Sequence, residues 1–503
     1  MNIQQAKNEI KNTLRAYLSR DELGNYRIPS VRQRPILLMG PPGIGKTQIM
    51  EQIAAETGVG LVSYTITHHT RQSAIGLPIL SHRTYGGKEE TVTEYTMSEI
   101  LASVYNLMEN TGIREGILFL DEINCVSETL APMMLQFLQC KTFGNRSLPE
   151  GWLIAAAGNP PEYNKSVRDF DVVTLDRVKR IDVTEDFGVW KDYARRRGVH
   201  GAVISYLDIR RENFYRVETT ADGVQFATAR GWEDLSELMK VYETLDLPAT
   251  REVVGQYIQL PRIARDFANY VELYRKYQNT YHVDDILTGK WGPVTVSELR
   301  AAPFDERLSV LGLVISRLSA AAGRARAQDA LTAALHGELT ALRERMAAGA
   351  EASAVLEETL TRRRADLDRA RQAGHLNRET RDQTLKLTAV LEEYRRRLTE
   401  QNLTGDAAME ALRTWFREEP ERRSALGEAA GGEFANAFRF LEETFGDSQE
   451  MVLFVTELTA GSDTSWFVEE FGCEAYFRHN RELLFDDTRA RLRQEIAAAG
   501  EGE

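Results

Sequence analysis

The apolar positions of the chain fall into two periodicities. Ile36-Leu37-Leu38-Met39 and Ile117-Leu118-Phe119-Leu120 are unbroken apolar runs, and Trp152 to Ala157 is a third. Short runs of this kind read as strands buried on both faces, as in a parallel sheet. Leu61 to Thr67 alternates and is rich in β-branched and aromatic residues, so it reads as a further strand. Val172 to Val183 ends in another short one. Between these runs the spacing is helical. Ile3, Ala6, Ile10, Leu14, Tyr17 and Leu18 predict a helix over 1–20, and Gln48 to Thr57 predicts one that Gly58 stops. Ile100, Val104 and Leu107 share a face of a helix over 100–110, and Glu128 to Cys140 is a further helix. Two β-prone stretches around Gly86-Gly87 predict a hairpin inserted at about 71–98.

Trp291-Gly292-Pro293 punctuates the chain, and beyond it Ala, Arg, Glu and Leu dominate. Leu331, Leu335, Leu339, Leu342 and Met346 form one stripe, and Leu387, Leu391, Tyr394 and Leu398 form another. These spacings predict long amphipathic helices or a helical hairpin, with a turn in 347–354. Acidic residues interleave with the triplets Arg362-Arg363-Arg364 and Arg395-Arg396-Arg397, which therefore read as solvated helix faces. The linear domain reading is an N-terminal helix and linker (1–33), an α/β domain (34–185), a helical segment (186–290) and a helical interaction domain (291–503).

The chemistry concentrates in the α/β part. Gly40-Pro41-Pro42-Gly43-Ile44-Gly45-Lys46-Thr47 fits G-x-x-x-x-G-K-[ST] between a strand and a helix. In that context glycines let backbone N–H groups cradle phosphate oxygens, and the helix N-terminus adds partial positive charge. Pro42, Gly43, Ile44, Gly45, Lys46, Thr47 and Gln48 are the candidate nucleotide-binding set. Lys46 would reach the β- and γ-phosphates, and Thr47 would hold Mg²⁺. Asp121 and Glu122 emerge at the C-terminal end of the second apolar run, the end where ligands sit in an open α/β sheet. Asp121 is read as the Mg²⁺ carboxylate and Glu122 as the base that polarises the attacking water. Asn159, just past the third run, is either a water-orienting amide beside the γ-phosphate or part of a plain Asn-Pro turn. Arg177 is either a stabiliser of phosphoryl charge, from its own or another subunit, or half of a surface ion pair with Asp176.

The bulk numbers narrow the classes. With 503 residues, 43% hydrophobic, the chain can bury a large core without staples. Cys125, Cys140 and Cys473 have no paired spacing, which fits a reducing compartment. His68 and His69 lack a matching carboxylate or Cys cluster, so a metal-ligand role is not assigned. The N-terminus has no apolar signal core, and no unbroken apolar run approaches a membrane span, so a cytoplasmic protein with no membrane partner is expected. A net charge of −13 disfavours a general nucleic-acid binder.

These motifs together resemble those of AAA+ ATPases, specifically the MoxR-like branch. The carriers are the phosphate-loop stretch, Leu118-Phe119-Leu120-Asp121-Glu122-Ile123-Asn124, and Ala156-Ala157-Gly158-Asn159-Pro160. Arg71 to Tyr95, with Ile75-Gly76-Leu77-Pro78, is similar to the hairpin this branch inserts after its second strand. The resemblance implies an αβα P-loop domain with a parallel sheet, a small helical lid and an all-α extension. It implies that ATP and Mg²⁺ are bound, with Asn159 as sensor 1 and Arg177 as a finger acting in trans. Arg177 stands in Asp176-Arg177-Val178, where the family often has Asp-Arg-Phe, and Arg180 is nearby. Arg230, at the start of a helix, resembles sensor 2; its placement is unfavourable to the helix dipole unless it has another use. The expected function is a ring-forming remodelling ATPase, a hexamer by resemblance, acting on a protein client, with a separate von Willebrand A-domain protein as partner. Two other classes stay open: a nucleic-acid motor or restriction-type NTPase, and a nucleotide-gated scaffold.

Overall fold

The computed structural model describes residues 1–68, 76–143, 146–163, 167, 170–220, 223–373 and 378–481. The chain divides into two compact units. The first is 1–189 together with 358–388, and the second is 190–357 with 389–503.

In the first unit, strands β1 (Ile36–Met39), β2 (Gly60–Thr65), β3 (Pro78–Tyr85), β4 (Lys88–Tyr95), β5 (Gly116–Asp121), β6 (Thr142–Phe143), β7 (Arg146–Ser147), β8 (Trp152–Gly158) and β9 (Lys179–Asp182) follow in chain order. Five of them form one parallel sheet in the order β2-β5-β8-β1-β9. Side chains of a strand alternate between faces, and here both faces are apolar. Ile36, Leu38, Ile117, Phe119, Leu153 and Ala155 pack with the helices Ile3–Leu18 and Lys46–Thr57. Leu37, Met39, Leu118, Leu120, Ile154 and Ala156 pack on the other side with the helices Glu99–Thr111 and Ala131–Cys140. The result is the expected αβα layering. Full burial of a side chain such as Leu118 or Phe119 stabilises by about 1.5–3 kcal/mol. Because the strands are parallel, the residues after β1, β5 and β8 emerge along one edge.

Some elements differ from their sequence reading. β2 stops at Thr65, and 66–68 form a 3₁₀ turn with Ile66 buried in the same core cluster as Val62. The insert forms a hairpin with an eight-pair register from Pro78↔Tyr95 to Tyr85↔Lys88. Gly86 (φ 57°) and Gly87 (φ 84°) occupy the left-handed region that a tight hairpin turn needs. The candidate ligands His68 and His69 lie outside the described side chains, as do residues 71–75 of the insert. The sheet edge has a partner remote in sequence. The Leu61 N–H on β2 donates to the Ala373 carbonyl at 3.1 Å, and Ala373 is buried. That bond covers part of an edge strand that would otherwise present unpaired backbone.

The second unit is mostly helical. The lid segment also contains a two-stranded ladder of β10 (Arg216–Thr220) and β11 (Gly223–Ala227), which the helical reading missed. Its aromatic core sets Tyr206 and Trp232 against Phe267, each at 5.1 Å between ring centroids. The longest helix, Phe304–Ala347, has 44 residues and packs along the helices Glu418–Phe445, Ser462–Phe471 and Gly201–Ile209. Its Leu335, Leu339 and Leu342 are buried, as the stripe predicted, and so are Leu387, Leu391, Tyr394 and Leu398. By length and composition this helix is apolar enough to cross a membrane, with a window of mean hydropathy 1.3. No unbroken apolar run marks it, because small residues and isolated polar ones interrupt that stretch. Half of the window is buried inside the protein.

Candidate nucleotide site

The site lies at the C-terminal edge of the sheet in the first unit. The loop after β1 turns at Gly43 (φ 74°) and Gly45 (φ 91°), a backbone that L side chains rarely adopt. The helix Lys46–Thr57 then begins directly at the candidate phosphate lysine. Pro42, Gly43, Ile44 and Gly45 are half-buried in the loop, with Ile44 resting on the core. Gln48, the third residue of the helix, lies beside the loop, its Oε1 at 3.4 Å from where a Gly45 Cβ would stand.

Lys46 is buried, and its Nζ donates to the carbonyls of Gly40 and Pro41 at 2.8 Å each. It also donates to Asn159 Oδ1 at 2.9 Å. These bonds fill the three donors of the ammonium and tie the loop to the end of β8. Thr47 Oγ1 donates to Asp121 Oδ2 at 2.8 Å. A hydroxyl and a carboxylate in contact, beside the glycine loop, are the donor pair for a small hard cation that keeps several waters. The other oxygen of Asp121 accepts from the Glu122 N–H at 2.9 Å.

Glu122 has φ 57°, a left-handed conformation that is uncommon for a residue other than glycine, Asn or Asp. Such strain costs on the order of 1–3 kcal/mol and gathers at functional sites. Its carboxylate accepts from Thr67 Oγ1 at 3.0 Å. Asn159 is held by Asn124: the Asn124 Nδ2 donates to the Asn159 carbonyl at 2.8 Å, and the Asn159 N–H donates to Asn124 Oδ1 at 3.3 Å. Gly158 makes room for this pair, since a Cβ there would stand 2.6 Å from Asn124 Oδ1.

Lys46, Thr47, Asp121, Glu122 and Asn159 are thus brought together from three strand ends. Arg177 is not with them. β9 runs beside β1 with Ile36↔Lys179 and Met39↔Asp182 in register, so Arg177 precedes the N-terminal end of β9. The three steps from Lys179 to Asp182 span about 10 Å, and Arg177 lies two residues further from its own phosphate loop. It is exposed and bonds Gln139, while Asp176 sits 4.0 Å from Arg34; among the described residues Arg177 and Asp176 form no ion pair. Arg180 is ion-paired with Asp182 at 2.8 Å. Arg230 belongs to the second unit, where it is exposed as the second residue of the helix Ala229–Thr244, capped by Thr228.

Sequence reasoning missed Thr67 and Asn124 as members of the site. Thr67 was absorbed into a strand. Asn124 sat in the quoted motif without a task, and its position two residues after Glu122 was the available signal.

The sheet order and the loop geometry define a P-loop domain of αβα type. Residues 36–175 match the family model described as "ATPase family associated with various cellular activities (AAA)". The chain therefore carries an AAA domain, which supports ATPase activity of the AAA+ type and nucleotide binding, usually with Mg²⁺. No curated protein matches the chain.

Proposed function

We propose that the chain is an AAA+ remodelling ATPase of the MoxR-like branch that hydrolyses ATP between subunits of a ring and acts on a protein client. The observation that carries this reading is the convergence of Lys46, Thr47, Asp121, Glu122 and Asn159 at one sheet edge, with Arg177 beyond reach of its own loop. In this reading Gly43 to Gln48 and Lys46 bind the phosphates, and Arg230 touches nucleotide from the lid. Thr47 and Asp121 would hold Mg²⁺, which when bound neutralises charge on the phosphate oxygens. Glu122 accepts a proton from the attacking water, and Asn159 orients that water. Arg177 serves the nucleotide of a neighbouring copy, which is why turnover requires assembly. AAA family proteins typically form rings; a hexamer, a von Willebrand A-domain partner and a cytoplasmic location complete the proposal.

The test is phosphate release by the purified chain against protein concentration, beside Glu122→Gln, with mass measured with and without ATP. Turnover per chain should rise with concentration, the variant should bind ATP without turning it over, and a ring mass should appear with ATP. A wild-type monomer that binds ATP and never hydrolyses it, even with lysate added, refutes the reading and leaves a scaffold. Strong, salt-sensitive stimulation by DNA would favour a nucleic-acid motor instead.

A further inference from the structure

The second unit contains a cleft of about 880 Å³, within the range of small-molecule sites. It is lined by residues of the lid segment together with the helices Phe304–Ala347 and Gln449–Ala460. Glu243 on its wall lies thirteen residues along the helix Ala229–Thr244 from Arg230, about 20 Å away.

Its charge runs against that of the chain. Eight Lys and Arg line it against five Asp and Glu, in a protein of net charge −13. Most of the carboxylates are already engaged. Lys191 takes Asp208 at 2.5 Å and Glu457 at 2.7 Å, and Glu457 also pairs with Arg195. His200 Nε2 holds Glu243 at 2.8 Å, and Arg326 holds Asp463 at 2.9 Å. The positive surplus falls on Arg196, Arg197, Arg275 and Arg317. Among the described residues the first three form no ion pair, and Arg275 reaches only the Leu247 carbonyl, at 3.4 Å. Arg317 has one exposed pair, with Asp284 at 3.4 Å.

A second observation is independent of charge. Tyr274 lines the cleft and is 5% exposed, yet its hydroxyl has no hydrogen-bond partner among the described residues. Its neighbours are bonded: Tyr206 donates to Asp266 at 2.8 Å, and Tyr270 donates to Ser205 at 2.9 Å. The Tyr274 hydroxyl and Ser316 Oγ converge over Gly201, at 2.6 and 2.9 Å from where its Cβ would stand. Both Gly201 and Ser316 also line the cleft. The hydroxyl itself keeps access to the cleft, so it can donate to an acceptor that enters there.

We propose that this cleft binds a multiply phosphorylated small molecule. Arg275 and Arg317 take its phosphate oxygens, and the Tyr274 hydroxyl donates to it. Guanidinium groups suit that role, because their paired N–H donors match phosphate geometry. Among the surrounding groups, Glu243 is drawn below the usual carboxylate range by its bond to His200 and by Arg275 and Arg317, so it stays a counter-charge that keeps these cations in place.

The test uses the full chain with its phosphate loop saturated by ADP and Mg²⁺. Inorganic pyrophosphate is titrated at constant free Mg²⁺ by calorimetry, with sulfate as the control at equal ionic strength. One saturable site is expected. Its Kd should rise at least about tenfold in Arg275→Gln/Arg317→Gln and about fivefold in the near-isosteric Tyr274→Phe. Absence of saturable binding overturns the proposal, as does equal binding of sulfate or binding that both variants leave unchanged. Binding lost in Lys46→Ala but kept in the cleft variants would place pyrophosphate in the phosphate loop and also overturn it. Failure of the cleft therefore reads separately from failure of the ATPase reading.

Discussion

Asn124 is the residue whose removal most directly tests how the site is held. It makes two hydrogen bonds to the Asn159 backbone, at 2.8 and 3.3 Å, and is 3% exposed. Asn159 in turn accepts from Lys46. Asn124→Ala removes both bonds and leaves the Asn159 N–H and carbonyl without those partners. At about 0.5–1.5 kcal/mol per bond, the loss is about 1–3 kcal/mol. If the Asn159 amide must sit within a few tenths of an ångström to orient water, that loss appears in the barrier. At tenfold per 1.4 kcal/mol, kcat should fall about 5- to 140-fold. KM for ATP should move by less than about threefold, because the phosphate loop itself is untouched. Asn124→Asp should not rescue activity, since it sets a carboxylate oxygen against the Asn159 carbonyl. The assay is steady-state phosphate release at saturating protein and ATP, with melting curves to show that the variant is folded. A folded variant with kcat within twofold of wild type, or one in which only KM rises, refutes the claim that Asn124 positions Asn159.

Three further outcomes are expected. Lys46→Ala and Arg177→Ala should each be inactive alone, yet an equal mixture should restore turnover at about a quarter of the sites, because each supplies what the other lacks across a subunit interface; a mixture as dead as its components refutes trans action. Thr47→Val, which removes the hydroxyl beside Asp121, should raise the Mg²⁺ concentration for half-maximal turnover at least about tenfold, and an unchanged Mg²⁺ titration counts against the pair as the cation site. Lys141 is buried, with its Nζ on the Ser30 carbonyl at 2.8 Å, and burial pushes its ammonium down to about 8. Between pH 8 and about 10.5 the unfolded chain holds this proton and the folded chain does not, so stability rises with pH across that window, by up to about 3 kcal/mol. The rise should be reduced in Lys141→Met, measured as denaturation midpoints from pH 7 to 10; parallel pH profiles for the two proteins would refute it.

Much of the nucleotide site was legible because its parts are local. A glycine loop between an apolar run and a helix, and two carboxylates after another run, are written in contiguous residues whose backbone conformation follows from their own types. Period-two burial on both sheet faces, the helical stripes and the Gly86-Gly87 turn are decided the same way, by side-chain spacing and by which residues tolerate positive φ. Asn159 is an intermediate case: the residue was visible, but its choice between a water-orienting amide and a plain turn was open. The bonds of Lys46 and Asn124 to it depend on β8 lying next to both β1 and β5.

Other features depend on strand order and on packing between distant segments. That Arg177 cannot reach its own phosphate loop follows from the register of β9 against β1. That Ala373 borders the sheet edge follows from residues 358–388 packing with a domain that precedes them by some three hundred positions. The basic cleft exists because helices remote in sequence bring Arg196, Arg197, Arg275 and Arg317 to its lining while most of its carboxylates pair with other groups. The sequence by itself determined the phosphate loop, the paired carboxylates and the amphipathic faces, since those rest on local periodicity and residue type. Only the tertiary structure decided which side chains meet, because contact between distant segments is set by the packing of whole faces and not by any residue's neighbours in the chain.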